Sequence, residues 1–384
     1  MILNMKEIGI YVHIPFCKKK CVYCDFVSYE NKQEQIESYI KWLLVEIEDV
    51  ATGIKLDRKD IIVKTIYIGG GTPSFIHENY IEKILQCILK NYCVKKDAEI
   101  TIEVNPGTVT KEKLKSYKKN GINRLSIGMQ STNDSILGQL GRIHHFQDFL
   151  TTYQLARQVG FDNINIDLMI GLGNQNIKEE LENIIHLQAE HLSVYSLIVE
   201  EHTPLYSMVR SKKYKLPEEK IERDMYWNVK NKLEKNGYQH YEISNFAKKG
   251  LEAKHNLDCW HQKEYIGFGV AAHSYTDKCR YSNITSIEMY IENFEKGKPE
   301  DNIVIHEIQN KTSMAKEYIM LNLRTIQGCN LEEFKTKFGY EIEKGFVQEL
   351  ERLKKNCLIA IENGYIHLTN KGIDLANLVW EEFV

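Results

Sequence analysis

Apolar runs of strand length alternate with amphipathic stretches at helical spacing through the first half of the chain. Ile8 to Ile14 reads as a short buried strand, and Pro15 ends it by removing a backbone donor. Gln33 to Val50 carries Ile36, Ile40, Leu43, Leu44 and Ile47 on one helical face, which predicts an amphipathic helix. KTIYIGGGTPS then reads as strand and glycine turn, with a helix from Glu78 to Leu89. EITIEVNPG is a strand stopped by Pro106 and Gly107, with a helix after it, and RLSIGMQS is a strand followed by helical stretches through Val159. NINIDLMIG is a strand with a helix reaching Ala189, and HLSVYSLIV is the sixth strand. Such alternation implies parallel strands with right-handed crossovers. Six units are two short of a closed eight-fold barrel, so the pattern predicts an α/β fold built as a partial six-unit barrel.

The remainder divides in two. Residues 201–304 alternate charged helix with aromatic-rich segments such as YQHYEISNFA and YIGFGVAAHSY, expected to finish the sheet edge and cover the open side of the barrel. Residues 305–384 are mostly helical, at Ser313 to Leu323, Leu331 to Phe338 and Glu343 to Lys354, then a hairpin about Asn363-Gly364 and a helix from Asn370. Helices plus a hairpin resemble a winged helix. With no basic recognition face among its lysines, this third unit reads as a lid or partner-docking domain, and residues 1–200 as the core.

In parallel barrels chemistry gathers at the carboxyl ends of the strands. Polar residues that interrupt these apolar strands sit at or just beyond those ends: Gly69 to Thr72, Glu103, Gln130 and Asp167. In the loop after the first strand, Cys17, Cys21 and Cys24 fall in a C-x-x-x-C-x-x-C spacing. A structural zinc site closes with four protein ligands, as do electron-transfer Fe–S clusters. Three thiolates leave one corner open, and an open iron on a 4Fe-4S cube can bind a small molecule. Three reactive loop thiols, or zinc with a distant fourth ligand, is the competing reading.

Composition narrows the setting. The chain has 384 residues, 43% hydrophobic and 27% charged, the profile of a globular protein with ample core. A net charge of −3 gives no general electrostatic reason to bind nucleic acid. There is no charged region followed by a long apolar one at the amino terminus, and no run nears the ~18 apolar residues of a membrane span. A cytoplasmic protein is expected, with peripheral membrane contact left open. The nine cysteines follow no disulfide framework outside the loop, consistent with reduced thiols, and Cys87 and Cys93 are expected to pack in the core.

The leading YVHIPF with the cysteine loop, then GGGTPS, TIEVNPG, RLSIGMQS, the arginine of LGQLGRIHH and the aspartate of INIDLMIG resemble the successive motifs of the radical S-adenosylmethionine (SAM) superfamily. Within it they resemble the oxygen-independent coproporphyrinogen III oxidase family. The resemblance implies that Cys17, Cys21 and Cys24 hold a 4Fe-4S cluster whose fourth iron chelates SAM. It implies that Gly70, Gly71 and Thr72 approach the SAM amino end, and that Glu103, Gln130 and Asp167 contact its body. Arg142 would meet its carboxylate, and Tyr11 and Tyr23 would lie beside the cluster. It also implies reductive SAM cleavage to methionine and a 5′-deoxyadenosyl radical. The electron would come from a flavodoxin- or ferredoxin-like donor, for which Lys18 to Lys20 offer a basic docking run.

Two departures select a branch. The coproporphyrinogen-oxidising branch has a fourth cysteine where this chain has Phe26, and a long amino-terminal arm where this chain begins 12 residues before His13. Both point to the HemW branch, regarded as heme chaperones that pass heme to acceptor proteins such as respiratory hemoproteins. HNLDCW at His255 to Trp260 resembles that branch's HNxxYW motif, with Cys259 in place of tyrosine. His255 is then a candidate heme-iron ligand, since imidazole is the usual axial group, and His273 a weaker one. Gly173 stands where the family has proline. The runner-up function is a coproporphyrinogen III dehydrogenase carrying out oxidative decarboxylation. A nucleic-acid-modifying radical SAM protein is a third reading.

Overall fold

A computed structural model describes residues 5–48 and 61–384. Its large sheet has twelve strands. Six of these are β1 (Lys6–Ile14), β2 (Ile61–Gly70), β3 (Val94–Val104), β4 (Arg124–Gln130), β5 (Ile164–Ile170) and β6 (His191–Ser196). Each pairs in parallel with the next, so the predicted α/β partial barrel is present. Helices at Ile36–Glu48, Glu78–Asn91, Lys111–Lys119, Phe146–Val159 and Ile177–Ile185 lie between them. The first is preceded by a 3-10 turn at Gln33–Gln35, and the end predicted for it, Val50, lies outside the described residues.

Strand periodicity divides the two faces. Ile8, Ile10, Val12 and Ile14 are buried, as are Ile66 and Ile68 on β2, and they pack with helix residues such as Leu43, Ile47, Ile84 and Leu85. Full burial of each such side chain stabilises the fold by roughly 1.5–3 kcal/mol. The intervening residues, Gly9, Tyr11 and His13 on β1 and Thr65, Tyr67 and Gly69 on β2, face the lumen. A lumen built of polar and aromatic groups, instead of the usual aliphatic layers, has room for chemistry.

The aromatic-rich middle of the chain extends both edges of the sheet, not one. β7 (Gln239–Glu242) and β8 (Asn245–Ala247) add to β6, with β8 antiparallel to it. β9 (Tyr265–Phe268) adds parallel to β1, and β10 (His273–Thr276), β11 (Cys279–Asn283) and β12 (Ile303–Ile308) follow antiparallel. The helix Lys254–Trp260 connects the two edges beneath the barrel, at the amino-terminal end of its strands. Cys87 is buried as expected, whereas Cys93, one residue past Tyr92 in the turn into β3, is exposed.

The carboxyl-terminal unit has helices at Lys311–Asn322, Leu331–Phe338 and Val347–Lys355 and a small sheet ordered β13 (Cys329–Asn330), β15 (Tyr365–Leu368), β14 (Ile359–Glu362). Asn363 (φ 52°) and Gly364 (φ 81°) both adopt the left-handed conformation that a two-residue hairpin turn requires. The single helix predicted for Glu343 to Lys354 is broken at Phe346 (φ −132°), because that side chain turns into the core beside Phe334 and Phe383. Phe334 also meets Phe338 and Tyr340, and replacing it with alanine should cost about 3–5 kcal/mol, measurable by chemical denaturation. Contacts that join this unit to the barrel include Arg324 between the rings of Trp260 (4.2 Å) and Trp380 (4.7 Å), the Trp227 indole donating to Asp374 (3.0 Å), Lys337 Nζ donating to Gln262 (2.9 Å), and the Arg280–Glu317 ion pair (2.7 Å).

Candidate functional site

The cysteine loop is shaped by backbone bonds from three directions. Cys17 N–H donates to Tyr29 O (2.9 Å), Val22 N–H to Leu140 O (3.1 Å), and Thr72 N–H to Phe16 O (2.9 Å). These hold the loop against the turn after β2 and the segment before Arg142. A side-chain relay then joins two of the thiols. Thr72 Oγ1 donates to Cys17 Sγ (3.4 Å) and accepts from Asn105 Nδ2 (2.9 Å); Asn105 Oδ1 accepts from Arg142 Nη2 (2.7 Å), whose Nη1 donates to Cys21 Sγ (3.6 Å). Arg142 also donates to Gly128 O (2.7 Å) and bonds Tyr23. Burial pushes the thiols of Cys17 and Cys24 up. A buried thiolate needs cationic charge nearby, which an iron cluster supplies along with deprotonation. The donor set therefore suits the cluster: three thiols in one loop, two of them already receiving hydrogen bonds at sulfur.

Below the loop the strand ends converge. Glu103 accepts from Tyr67 OH (2.8 Å) and from Gly70 N–H (3.1 Å). A Cβ on Gly70, at φ +113°, would sit 2.6 Å from the His13 ring, and one on Gly71 would meet the Ile14 and Phe16 carbonyl oxygens at 3.0 Å. Asp167 accepts from Asn165 Nδ2 (2.6 Å) and Ser126 Oγ (3.3 Å) and bonds Tyr195. Gln130 is buried, its backbone is left-handed (φ 69°), and its side-chain Oε1 has no protein partner. A strained backbone carrying an orphaned buried acceptor is the mark of a position shaped for a ligand, and SAM offers ribose hydroxyls and an ammonium group.

Burial raises the Glu103 carboxyl from 4.5 to about 7, with Asp167 adding repulsion and the Tyr67 and Gly70 hydrogen bonds and Arg124 opposing. The folded protein holds this proton where the unfolded chain has lost it, so the group's contribution to stability falls as pH rises from 4.5 to 7. A cationic, hydroxyl-bearing ligand favours the carboxylate. SAM affinity should therefore rise about tenfold between pH 6 and pH 8, as the ionised fraction goes from ~0.1 to ~0.9, and Glu103→Gln should flatten that dependence in a calorimetric titration.

Tyr23 lies with Cys21 and Arg142 as expected. Tyr11 connects to the loop through His13: its hydroxyl bonds His13 Nδ1 (2.9 Å), and His13 Nε2 bonds Val27 O (2.8 Å). Tyr67 stacks under Tyr11 (6.2 Å), and His255 lies against Tyr67 (5.3 Å). His255 is thus the foot of an aromatic column whose head is the cysteine loop. It is buried, its Nδ1 bonds Thr65 Oγ1 (2.8 Å), its backbone N–H donates to Glu99 (3.1 Å), and burial brings its pKa down to about 4. Burial pushes the Cys259 thiol up to about 12, which disfavours the thiolate a second iron ligand would need. Asn105, His13 and Tyr67 were missed by sequence reasoning. Asn105 before Pro106 reads as a turn, while His13 and Tyr67 carried a usable signal, since they alternate with buried isoleucines on strands whose other face is apolar.

A six-unit parallel barrel with three thiols in the loop after its first strand, and glycines and carboxylates at the next strand ends, is the architecture of the radical SAM class. The radical SAM superfamily model matches residues 11–187, and the HemN C-terminal domain model matches residues 309–375. The chain is 38% identical to the protein named heme chaperone HemW of Bacillus subtilis, over 97% of this chain and 98% of that one. It is 34% identical to the Lactococcus lactis protein of that name over 99% and 98%, and 38% identical to the Escherichia coli one over 71% of each chain. Among solved structures, coproporphyrinogen III oxidase (HemN) from Escherichia coli superposes with a TM-score of 0.83 at 22% identity, covering 100% of this chain and 91% of that one, which confirms the fold. The chain belongs to the HemW family of the radical SAM superfamily.

Proposed function

We propose that this protein is a heme chaperone of the radical SAM class, which binds heme, a 4Fe-4S cluster and SAM and delivers the heme to acceptor proteins. Its near-full-length similarity to proteins named heme chaperone HemW carries the reading. Phe26 supports it. Where the coproporphyrinogen-oxidising branch places a fourth cysteine, this side chain is 69% exposed and offers no ligand atom. Cys17, Cys21 and Cys24 would hold the cluster, which when bound supplies an electron for reductive SAM cleavage. Arg142 and Asn105 orient the loop and Arg142 meets the SAM carboxylate by charge-assisted hydrogen bonds. Gly70, Gly71, Thr72, Glu103, Gln130 and Asp167 line the SAM body, with Tyr23 and Tyr11 flanking it.

Lys18 and Lys19 are exposed beside the loop, a suitable landing for an acidic flavodoxin- or ferredoxin-like donor. Respiratory hemoproteins are the acceptors the family resemblance suggests. No helix among the described residues is long and apolar enough to cross a membrane. His255, the ligand implied by the motif, is buried with its Nδ1 on Thr65 Oγ1, so ligation of iron by it would require the helix Lys254–Trp260 to move from the barrel floor.

The test is anaerobic cluster reconstitution followed by titration with ferric heme, with coproporphyrinogen III turnover assayed on the same preparation. Uptake of one heme per chain without turnover is expected. Turnover without heme uptake would replace the chaperone with the dehydrogenase.

A further inference from the structure

We propose that His191, at the foot of β6, is a positioning residue for SAM: through Asn165 it fixes the direction in which the Asp167 carboxylate faces the ligand. This rests on the assignment of Asp167 to the SAM body above and adds what holds that carboxylate in place.

Strand register sets the groups level. β5 and β6 pair so that Asn165 lies opposite His191 and Asp167 opposite Ser193, and the two-residue period puts all four side chains on the lumen face. Asn165 and His191 are 2% and 0% exposed, so their polar atoms must find partners inside the protein. Asn165 Nδ2 donates to Asp167 Oδ1 (2.6 Å) and to Ser126 Oγ (2.7 Å). Asn165 Oδ1 meets His191 Nδ1 (2.6 Å) and accepts from Ser193 Oγ (3.1 Å). On the far side of the ring, His191 Nε2 meets the Tyr241 hydroxyl of β7 (2.7 Å), whose oxygen accepts from Ala253 N–H (3.3 Å). Ala253 is the residue before the helix Lys254–Trp260, so the chain of bonds runs from the barrel floor to the SAM carboxylate.

The proton positions follow from the partners. An Asn165 amide turned the other way would aim its oxygen at the carboxylate that a cationic ligand favours. Its Nδ2 therefore faces Asp167 and its Oδ1 faces the ring, and since an amide oxygen only accepts, the His191 proton sits on Nδ1. Nε2 is left to accept from Tyr241 O–H. Burial, with Arg124 adding to it, holds the imidazole well below its ordinary pKa, so the ring stays neutral and keeps one proton to give. Each donor from Ala253 to Asn165 then points toward Asp167, an alignment in which successive bonds polarise one another. Ser126 Oγ, which accepts from the same Nδ2, passes its own proton to Asp167 Oδ1 (3.3 Å). The orientation of one amide thus governs two contacts with that oxygen, and the His191 N–H helps to set it.

SAM affinity would be measured by equilibrium dialysis on the full chain, cluster-reconstituted and anaerobic, as wild type, His191→Asn, His191→Gln, His191→Phe and Asp167→Asn, with iron content and thermal unfolding recorded for each. The amide nitrogen of asparagine falls where Nδ1 lies, and that of glutamine nearer Nε2. His191→Asn should therefore stay within about threefold of wild type, whereas His191→Gln and His191→Phe should lose about tenfold or more, the effect of one hydrogen bond relayed to a charge. Iron content should not change. Affinities that follow the unfolding temperatures instead, with asparagine falling as far as glutamine and phenylalanine, would overturn the proposal, as would wild-type affinity in the latter two. Where a substitution prevents cluster loading, nitrogen-15 spectra of histidine-labelled wild type decide. A proton on Nδ1 of His191, with a resonance that moves when SAM is added, supports the role; a proton on Nε2, or a resonance that SAM leaves in place, overturns it. Wild-type affinity in Asp167→Asn, or no SAM binding by the wild type, would bring down the SAM assignment itself, and the role of His191 with it.

Discussion

Cys21→Ala should purify without a cluster: iron and sulfide near zero after reconstitution, no charge-transfer absorbance, and no 5′-deoxyadenosine formed from SAM with a chemical reductant. With three thiols for four corners the loop has no spare ligand. The Cys21 sulfur is also the end of the relay through Arg142, Asn105 and Thr72 to Cys17, so its loss leaves a buried guanidinium without one of its partners. The fold should survive, because the loop is held by backbone bonds at Cys17, Val22 and Thr72 that do not involve the thiol. Cys93→Ala, at an exposed position in the turn into β3, is the matched control and should retain full iron content. Full cluster occupancy in Cys21→Ala would remove that residue from the ligand set.

Gly70→Ala should lower SAM affinity by on the order of a hundredfold while leaving the cluster in place. The residue sits at φ +113°, where an L side chain is strained by roughly 1–3 kcal/mol. Its new Cβ would also lie 2.6 Å from the His13 ring, which is pinned between Tyr11 OH and Val27 O. Either the glycine strand backs away from the site, breaking the Gly70 N–H bond to Glu103, or His13 leaves Val27 and slackens the cysteine loop. Each tenfold in affinity is 1.4 kcal/mol, so ~3 kcal/mol of combined strain and displacement gives the stated loss. Equilibrium dialysis with labelled SAM reads the effect directly. A Gly70→Ala protein that binds SAM like the wild type would show that this backbone does not approach the ligand.

Much of this was legible in the sequence, for reasons that differ by element. β1 to β6 were readable because each is a short apolar run, closed by glycine or proline in β1, β2, β3 and β5, and local pattern determines them. The cysteine loop was readable because its spacing is itself the chemistry. Glu103, Gln130 and Asp167 stood out as polar residues on otherwise apolar strands. Asn105 did not, since its role is to bridge Thr72 and Arg142, residues 33 and 37 positions away along the chain. The placement of β7 to β12 on two opposite edges was illegible for the same reason: pairing between distant segments leaves no local period. HNLDCW was legible as a motif but not as a helix, whose start is fixed by Glu99 accepting the N–H groups of Lys254 and His255 from across the barrel floor.

The joint between the barrel and the carboxyl-terminal unit has an optical consequence. The chain has four tryptophans, and three of them are on that joint: Trp260 and Trp380 against Arg324, and Trp227 on Asp374. The fourth, Trp42, stacks on Phe294 at the opposite side of the sheet. Intrinsic emission is therefore dominated by indoles whose surroundings change if the last eighty or so residues shift, so an unlabelled sample carries its own gauge of whether heme, SAM or an acceptor protein loosens the two units.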